Sequence, residues 1–95
     1  MNARLKNDET DFLCRAILSL DTEEECYAFF EDILTIGEIQ SIAQRLAVAR
    51  MLDAGQTYED IERITGASSA TISRVKRCLT FGADGYRLVL DRLSD

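Results

Sequence analysis

Hydroxyl-bearing and positively charged side chains are concentrated between Ser68 and Arg77. Small residues begin this stretch and basic residues end it. The small residues would let the start of a helix come close to a ligand, and the basic residues would attract the ligand's negative charge. Serine and threonine hydroxyls can hydrogen-bond base edges or phosphates, and the Thr71 methyl group can touch a thymine methyl. We therefore predict a surface for double-stranded DNA, formed by Ser68, Ser69, Ala70, Thr71, Ser73, Arg74, Lys76 and Arg77.

Two short helices joined at a glycine would position that surface. Residues 57–80 match a helix-turn-helix, in which Gly66 supplies the tight turn and the second helix enters the major groove. Apolar residues in the second helix recur at steps of three and four, so its hydroxyl-bearing side must face away from them. We expect the inward contacts to come from Ile61, Ile64, Ala67, Ile72, Val75 and Leu79.

The charge distribution permits DNA binding but weakens it. The net charge is −6, whereas DNA affinity comes largely from cations that neutralise phosphates. The segment from Arg63 to Arg77 nevertheless contains four basic residues and no acid, while Thr22 to Asp32 contains five acids and no base. A local basic patch on an acidic body predicts modest affinity with a shallow salt dependence.

No residue pattern indicates catalysis or a bound metal. The chain has no histidine, no P-loop and no glycine-rich dinucleotide motif, and its cysteines do not form a zinc pattern. Because Cys14, Cys26 and Cys78 are widely spaced, we expect them to be small buried residues in a reducing compartment. We predict a protein that is not an enzyme and has no metal or cofactor, with a small-molecule effector of unknown identity left open.

Helical periodicity runs through the whole chain, which contains no proline. Helix starts are indicated by hydroxyl residues that can accept first-turn N–H groups: Thr22, Thr35, Thr57 and Ser68. Helix ends are indicated by Gly55, Gly66 and Gly82. We predict an all-α fold in one domain over residues 1–95, with residues 1–8 disordered and six helices near 9–20, 23–33, 36–53, 58–65, 69–80 and 84–93.

The first two predicted helices carry more apolar side chains than one neighbouring helix can cover. This excess predicts an intertwined homodimer, with an ordinary monomeric core as the alternative. In the long third helix we expect one apolar stripe formed by Ile39, Ile42, Ala43, Leu46, Ala49 and Leu52. No apolar run approaches the ~20 residues that span a bilayer, so we expect a cytoplasmic protein with no membrane partner.

Four stretches match a known pattern, and the run from Gly66 to Arg74 is the sharpest of them; the others are residues 29–35, 43–45 and 52–55. On these residues the sequence resembles the Trp repressor family, in particular its small TrpR-like YerC/YecD group. The resemblance extends from about Phe12 to Leu93. It implies six helices per chain, an intertwined homodimer, and paired reading heads in successive major grooves, ~34–36 Å apart.

The resemblance also implies an effector pocket. In that family a tryptophan corepressor lies between the long central helix and the recognition helix, and an arginine from each meets its carboxylate, as the planar guanidinium suits. The matching positions are Arg45 and Arg74, with Thr35 as a further pocket residue. The family's indole ring packs over a glycine where this chain has Val75, whose side chain fills the ring's space. We therefore predict that L-tryptophan does not bind; phosphate contact or an ion pair is the alternative role of the two arginines.

These observations predict a sequence-specific transcriptional regulator that binds double-stranded DNA as a homodimer through its helix-turn-helix. The alternative is a helical dimer that serves as a protein-interaction module with weak or no DNA binding. Glu59 and Glu62 favour the alternative, because the resemblance places them where the Trp repressor has basic residues that face phosphates.

Overall fold

The computed structural model describes residues 2–94, which contain six α-helices and no strand. The helices are α1 (Asp8–Leu18), α2 (Glu23–Ile33), α3 (Ile36–Asp53), α4 (Tyr58–Thr65), α5 (Ser69–Phe81) and α6 (Gly85–Leu93). The predicted all-α fold of six helices is confirmed. The helix ends lie close to their predicted positions because they are set by local capping chemistry.

Each helix start with a predicted hydroxyl cap has that cap. The hydroxyls of Thr22, Thr57 and Ser68 accept the N–H of the residue three positions later, at 3.1–3.2 Å. At α3 the exchange is reciprocal, because Glu38 N–H donates to Thr35 Oγ1 at 3.1 Å and Thr35 N–H donates to Glu38 Oε1 at 2.9 Å. These bonds satisfy N–H groups that a helix start leaves without partners.

The prediction that residues 1–8 are disordered stays a prediction, although α1 begins inside that range. The Asn7 side chain accepts Thr10 N–H at 2.8 Å, and Asp8 is the first residue of α1. Asparagine is among the best N-cap residues, so this cap is a local signal of the same kind as those at the hydroxyl residues. Met1, which the same prediction includes, lies outside the described residues.

Two predicted glycine stops work by different means. Gly66 ends α4 in the left-handed conformation, at φ +73°, which costs glycine little and other residues more. Gly82 ends α5 in an extended conformation at φ −82°. A Cβ at Gly82 would collide with the Cys78 carbonyl oxygen, so close backbone approach requires glycine there.

The chain separates into two compact units, with the boundary between Ile39 and Gln40, inside α3. The boundary falls inside a continuous helix, so it does not by itself divide the chain into two domains. The single domain over residues 1–95 stays a prediction. In the first unit no residue of α1 or α2 is buried. The large apolar side chains exposed there include Phe12, Leu13, Ile17, Tyr27 and Ile33.

The second unit has a core drawn from four helices. Its buried residues are Val48 and Ala49 of α3, Ile61 of α4, Ala67 of the turn, Ile72 and Val75 of α5, and Leu90 of α6. The apolar stripe predicted for α3 is therefore wrong in part. Ala49 belongs to the core and Leu52 packs against it, as predicted, but the core also uses Val48 and leaves Ile42 and Leu46 exposed.

None of the helices in the described part of the chain is long and apolar enough to cross a membrane.

The two kinds of backbone at glycine give a stability prediction. At Gly66 and Gly37 a new Cβ meets nothing within 4 Å, but only Gly66 has a positive φ. We expect Gly66→Ala to lower the free energy of unfolding by about 1 kcal/mol through backbone strain. The matched control Gly37→Ala should raise it by about 0.5 kcal/mol, because alanine loses less backbone entropy in a helix. Urea denaturation at one protein concentration measures both, and a change of the same sign in both variants would contradict the strain argument.

Candidate nucleic-acid interface

The position of α5 is set by its apolar side. Ile72 and Val75 are 0% and 1% exposed, and they share one buried cluster with Ile61 of α4 and Ala67 of the turn. Leu79 is half-buried and packs against the same cluster. The prediction that Ile72, Val75 and Leu79 face inward is thus confirmed, and the opposite side of α5 faces outward.

Ile64 is an exception among the predicted inward contacts, because it is 58% exposed. Thr65 takes the inward place instead. Its Oγ1 donates to Ile61 O at 2.6 Å and accepts Ala67 N–H at 3.1 Å, and its carbonyl accepts Gln44 Nε2 at 3.1 Å. The turn before α5 is therefore fixed by polar contacts that reach α3. Their one sequence signal is weak: a threonine directly before the turn glycine.

The outward side of α5 carries the residues predicted to contact DNA. Ser69, Ala70, Ser73, Arg74 and Arg77 are exposed, and Thr71 is half-buried. The Ser68 hydroxyl accepts Thr71 N–H at 3.2 Å and lies 3.1 Å from Thr71 Oγ1, so it is used within the protein. No hydrogen bond to another residue in the range 2–94 occupies the hydroxyls of Ser69 and Ser73. Those two hydroxyls are available to a ligand.

The three candidate cations of α5 form no salt bridge with a carboxylate among the described residues. The cations in salt bridges within the described chain are Lys6, Arg63 and Arg87, which leaves Arg74, Lys76 and Arg77 unneutralised. Arg63 pairs with Asp60 at 3.1 Å on an exposed surface, so its contribution to a basic patch is reduced.

Lys76 occupies a different place from Arg74 and Arg77. Its Nζ lies over the Tyr58 ring, 5.6 Å from the ring centroid. An aromatic face attracts a cation only weakly at an exposed site, so this contact leaves the Lys76 ammonium group accessible to another partner.

The residues of the predicted effector pocket are not gathered in one cavity of the second unit. Arg45 lines a cavity of about 520 Å³ together with Ile42, Leu46, Cys78, Ala83, Gly85, Tyr86 and Val89. Arg74 and Val75 do not line it, and Val75 belongs to the buried core. Thr35, in the first unit, is engaged in the α3 cap, and its N–H group holds the pKa of Glu38 below the ordinary value.

The prediction that the cysteines are buried is wrong. Cys14 and Cys78 are exposed and Cys26 is half-buried. Cys14 and Cys26 lie on helices with no buried residue, and Cys78 lies beside the buried stripe of α5 rather than in it. Burial depends here on which helix face finds a partner, and residue type alone does not determine it.

Comparison with known proteins agrees with this architecture. The family model described as Trp repressor protein matches residues 8–94. The chain is 60% identical over 92 residues to the uncharacterised protein YerC of Bacillus subtilis (strain 168), a match that covers 97% of this chain and 88% of that protein.

Two solved structures have the same fold. One is the crystal structure of a candidate Trp repressor from Staphylococcus aureus, at TM-score 0.94 and 52% identity, with 98% of this chain and 94% of that chain covered. The other is a TrpR-like protein from Eubacterium eligens ATCC 27750, at TM-score 0.94 and 53% identity, with 97% and 95% covered. The resemblance identified from the sequence is confirmed.

The two adjacent serines at the start of α5 allow a test of the cap. We expect Ser68→Ala to lower the free energy of unfolding by about 1 kcal/mol, because Thr71 N–H loses its acceptor. Ser69→Ala removes the same atom from an exposed side chain and should change stability by less than about 0.5 kcal/mol. Chemical denaturation followed by circular dichroism compares the two, and equal losses would show that the Ser68 cap contributes nothing of its own.

Proposed function

Because this chain belongs to the Trp repressor family, we propose that it is a sequence-specific transcriptional regulator that binds double-stranded DNA in the cytoplasm as a homodimer. The observation that carries this proposal is the orientation of α5. Its apolar side is buried through Ile72 and Val75, while Ser69, Ser73 and Arg77 face outward. A recognition helix needs this division, since its outer side must reach base edges while its inner side fixes its angle.

The outer side of α5 supports a division of labour between its residues. Ser69, Thr71 and Ser73 lie in the first turns, where the helix start can approach base edges closely. Arg74 and Arg77 lie further along and suit phosphates, which fix the register of the protein on the duplex. No acid lies in the first turn of α5 to repel the duplex.

A homodimer is supported by the apolar faces of α1 and α2. Phe12, Ile17 and Ile33 are each about half exposed or more, although burial of such side chains is worth roughly 1.5–3 kcal/mol each. A second copy of the chain would cover them, and a two-fold pair would present two copies of α5 to a palindrome-like site.

We also propose that L-tryptophan is not the effector. The Val75 side chain is 1% exposed and packs within the core, and the resemblance to the Trp repressor places a glycine, over which the indole ring packs, at this position. An effector of another chemistry stays compatible with the Arg45 cavity.

The protein-interaction module remains a second candidate because of exposed acids. Glu59 and Glu62 are exposed on α4, where they would repel phosphates near the reading head. Fluorescence anisotropy with labelled genomic fragments at about 50 and 200 mM salt separates the candidates. Binding that weakens with salt supports the regulator, whereas no binding at the lower salt favours the interaction module.

Two variants of α5 should fail in different ways. Arg77→Ala should weaken binding to all DNA sequences alike and lower the salt slope by about one per reading head, because it removes a phosphate contact. Thr71→Ala should reduce discrimination between the preferred site and a mismatched one by about 1 kcal/mol. Sites selected from random DNA, followed by anisotropy titrations, supply both measurements.

Each variant serves as the control for the other. A sequence-selective loss in Arg77→Ala would contradict a phosphate role for that residue. An unchanged site preference in Thr71→Ala would remove Thr71 from the residues that read bases.

Calorimetry tests the exclusion of tryptophan. We expect L-tryptophan to give no binding heat with the wild-type protein, because this chain has a valine side chain where the family's indole ring packs over glycine. Val75→Gly removes that side chain and is the variant in which binding can appear. Tight binding of L-tryptophan to the wild type would overturn the steric argument.

A further inference from the structure

A polar cavity of about 400 Å³ lies beside α5 in the second unit and is not explained by the helix-turn-helix alone. Side chains from the end of α3, the following turn, and α4, α5 and α6 line it. Its polar lining includes Asp53, Gln56, Tyr58, Lys76, Thr80 and Arg87. Two cations therefore converge on one cavity, and one of them, Arg87, belongs to α6.

The cavity continues the outward side of α5. Ser69, Ser73, Lys76 and Thr80 follow one another at steps of four, three and four, which places them along one side of the helix. The first two belong to the candidate DNA surface, and the last two line the cavity. A duplex that lies along the hydroxyl-bearing side of α5 would therefore bring its backbone to the mouth of this cavity.

Both cations are positioned without being fully neutralised. The Tyr58 ring lies 5.6 Å from Lys76 Nζ and contributes no formal charge. Arg87 Nη1 donates to Asp53 Oδ1, which leaves further N–H donors of the guanidinium for another acceptor. The same hydrogen bond and the charge of Asp53 raise the pKa of Arg87 above its ordinary value, so Arg87 stays charged.

We infer that this cavity receives a phosphate of the DNA backbone, held by Lys76 and Arg87, and that the interface thus extends beyond residues 57–80 onto α6. The inference rests on the proposed DNA-binding function. A phosphate suits the cavity because two cations from different helices can approach its oxygens together. Asp53 positions Arg87 but repels the ligand, so it limits the affinity.

Opposite effects of two substitutions test this role. Arg87→Gln removes a phosphate contact and should weaken DNA binding, with the salt slope lower by about one per subunit. Asp53→Asn breaks the same ion pair but leaves Arg87 charged and removes a repelling carboxylate, so it should strengthen binding several-fold at low salt. An ion pair with only a structural role would make both variants change in the same direction.

Charge-matched controls separate the cavity from net charge. Arg92→Gln on α6 and Glu31→Gln on α2 make the same charge changes at exposed residues outside the cavity, and both should leave the salt slope unchanged. The inference is overturned if Arg87→Gln and Arg92→Gln have the same salt slope. It is also overturned if Asp53→Asn and Glu31→Gln have the same affinity for DNA at low salt. Should Arg87→Gln fail to fold by circular dichroism, the comparison of Asp53→Asn with Glu31→Gln decides the question, because Asp53 contacts Arg87.

Failure of this inference and failure of the proposed function give different results. Wild-type protein that binds no DNA at low salt would remove both. If the wild type binds DNA and Arg77→Ala weakens that binding, the proposed function stands. If Arg87→Gln and Lys76→Gln then have the same salt slope as Arg92→Gln, only the phosphate site in the cavity is ruled out.

Discussion

The burial of Ile72 and Val75 is the interaction on which the rest of the second unit depends. These side chains join α5 to Ile61 of α4 and, through the same cluster, to α3 and α6. Because side chains of a helix point in all directions, burial of one stripe decides which residues remain for a ligand. The exposure of Ser69, Ser73 and Arg77 is thus a consequence of apolar packing, and the chemistry of the surface follows from it.

Local features of the structure could be predicted from the sequence, while long-range ones could not. Helix starts at Thr22, Thr57 and Ser68 were predictable because a cap involves residues three positions apart. The outward side of α5 was predictable from the spacing of its apolar residues. The pairing of Arg87 with Asp53 joins residues 34 positions apart, and no periodicity indicates such a contact. Exposure of Ile64 and the cysteines depends on which faces meet, so residue type misled there.

For this chain, the positions of the charged residues matter more for ligand binding than the net charge does. A net charge of −6 argues against binding a polyanion, yet Arg74 and Arg77 project from a helix with no acid in its first turn. The acids of α2 and α4 stabilise their own helix starts, where the backbone dipole is positive. The negative net charge disfavours nonspecific binding to nucleic acid, so any affinity must come from contacts made by a few side chains.

The hydrogen bond from Gln44 to the Thr65 carbonyl makes the position of the helix-turn-helix dependent on α3, which lies outside it. Val48, Ala49 and Leu90 add apolar support from α3 and α6. The helix-turn-helix would therefore not keep its geometry if it were transferred to another protein, because the contacts from α3 and α6 that orient it would be missing. Substitutions in α3 or α6 could therefore change the direction of α5 while every exposed side chain of α5 stays the same.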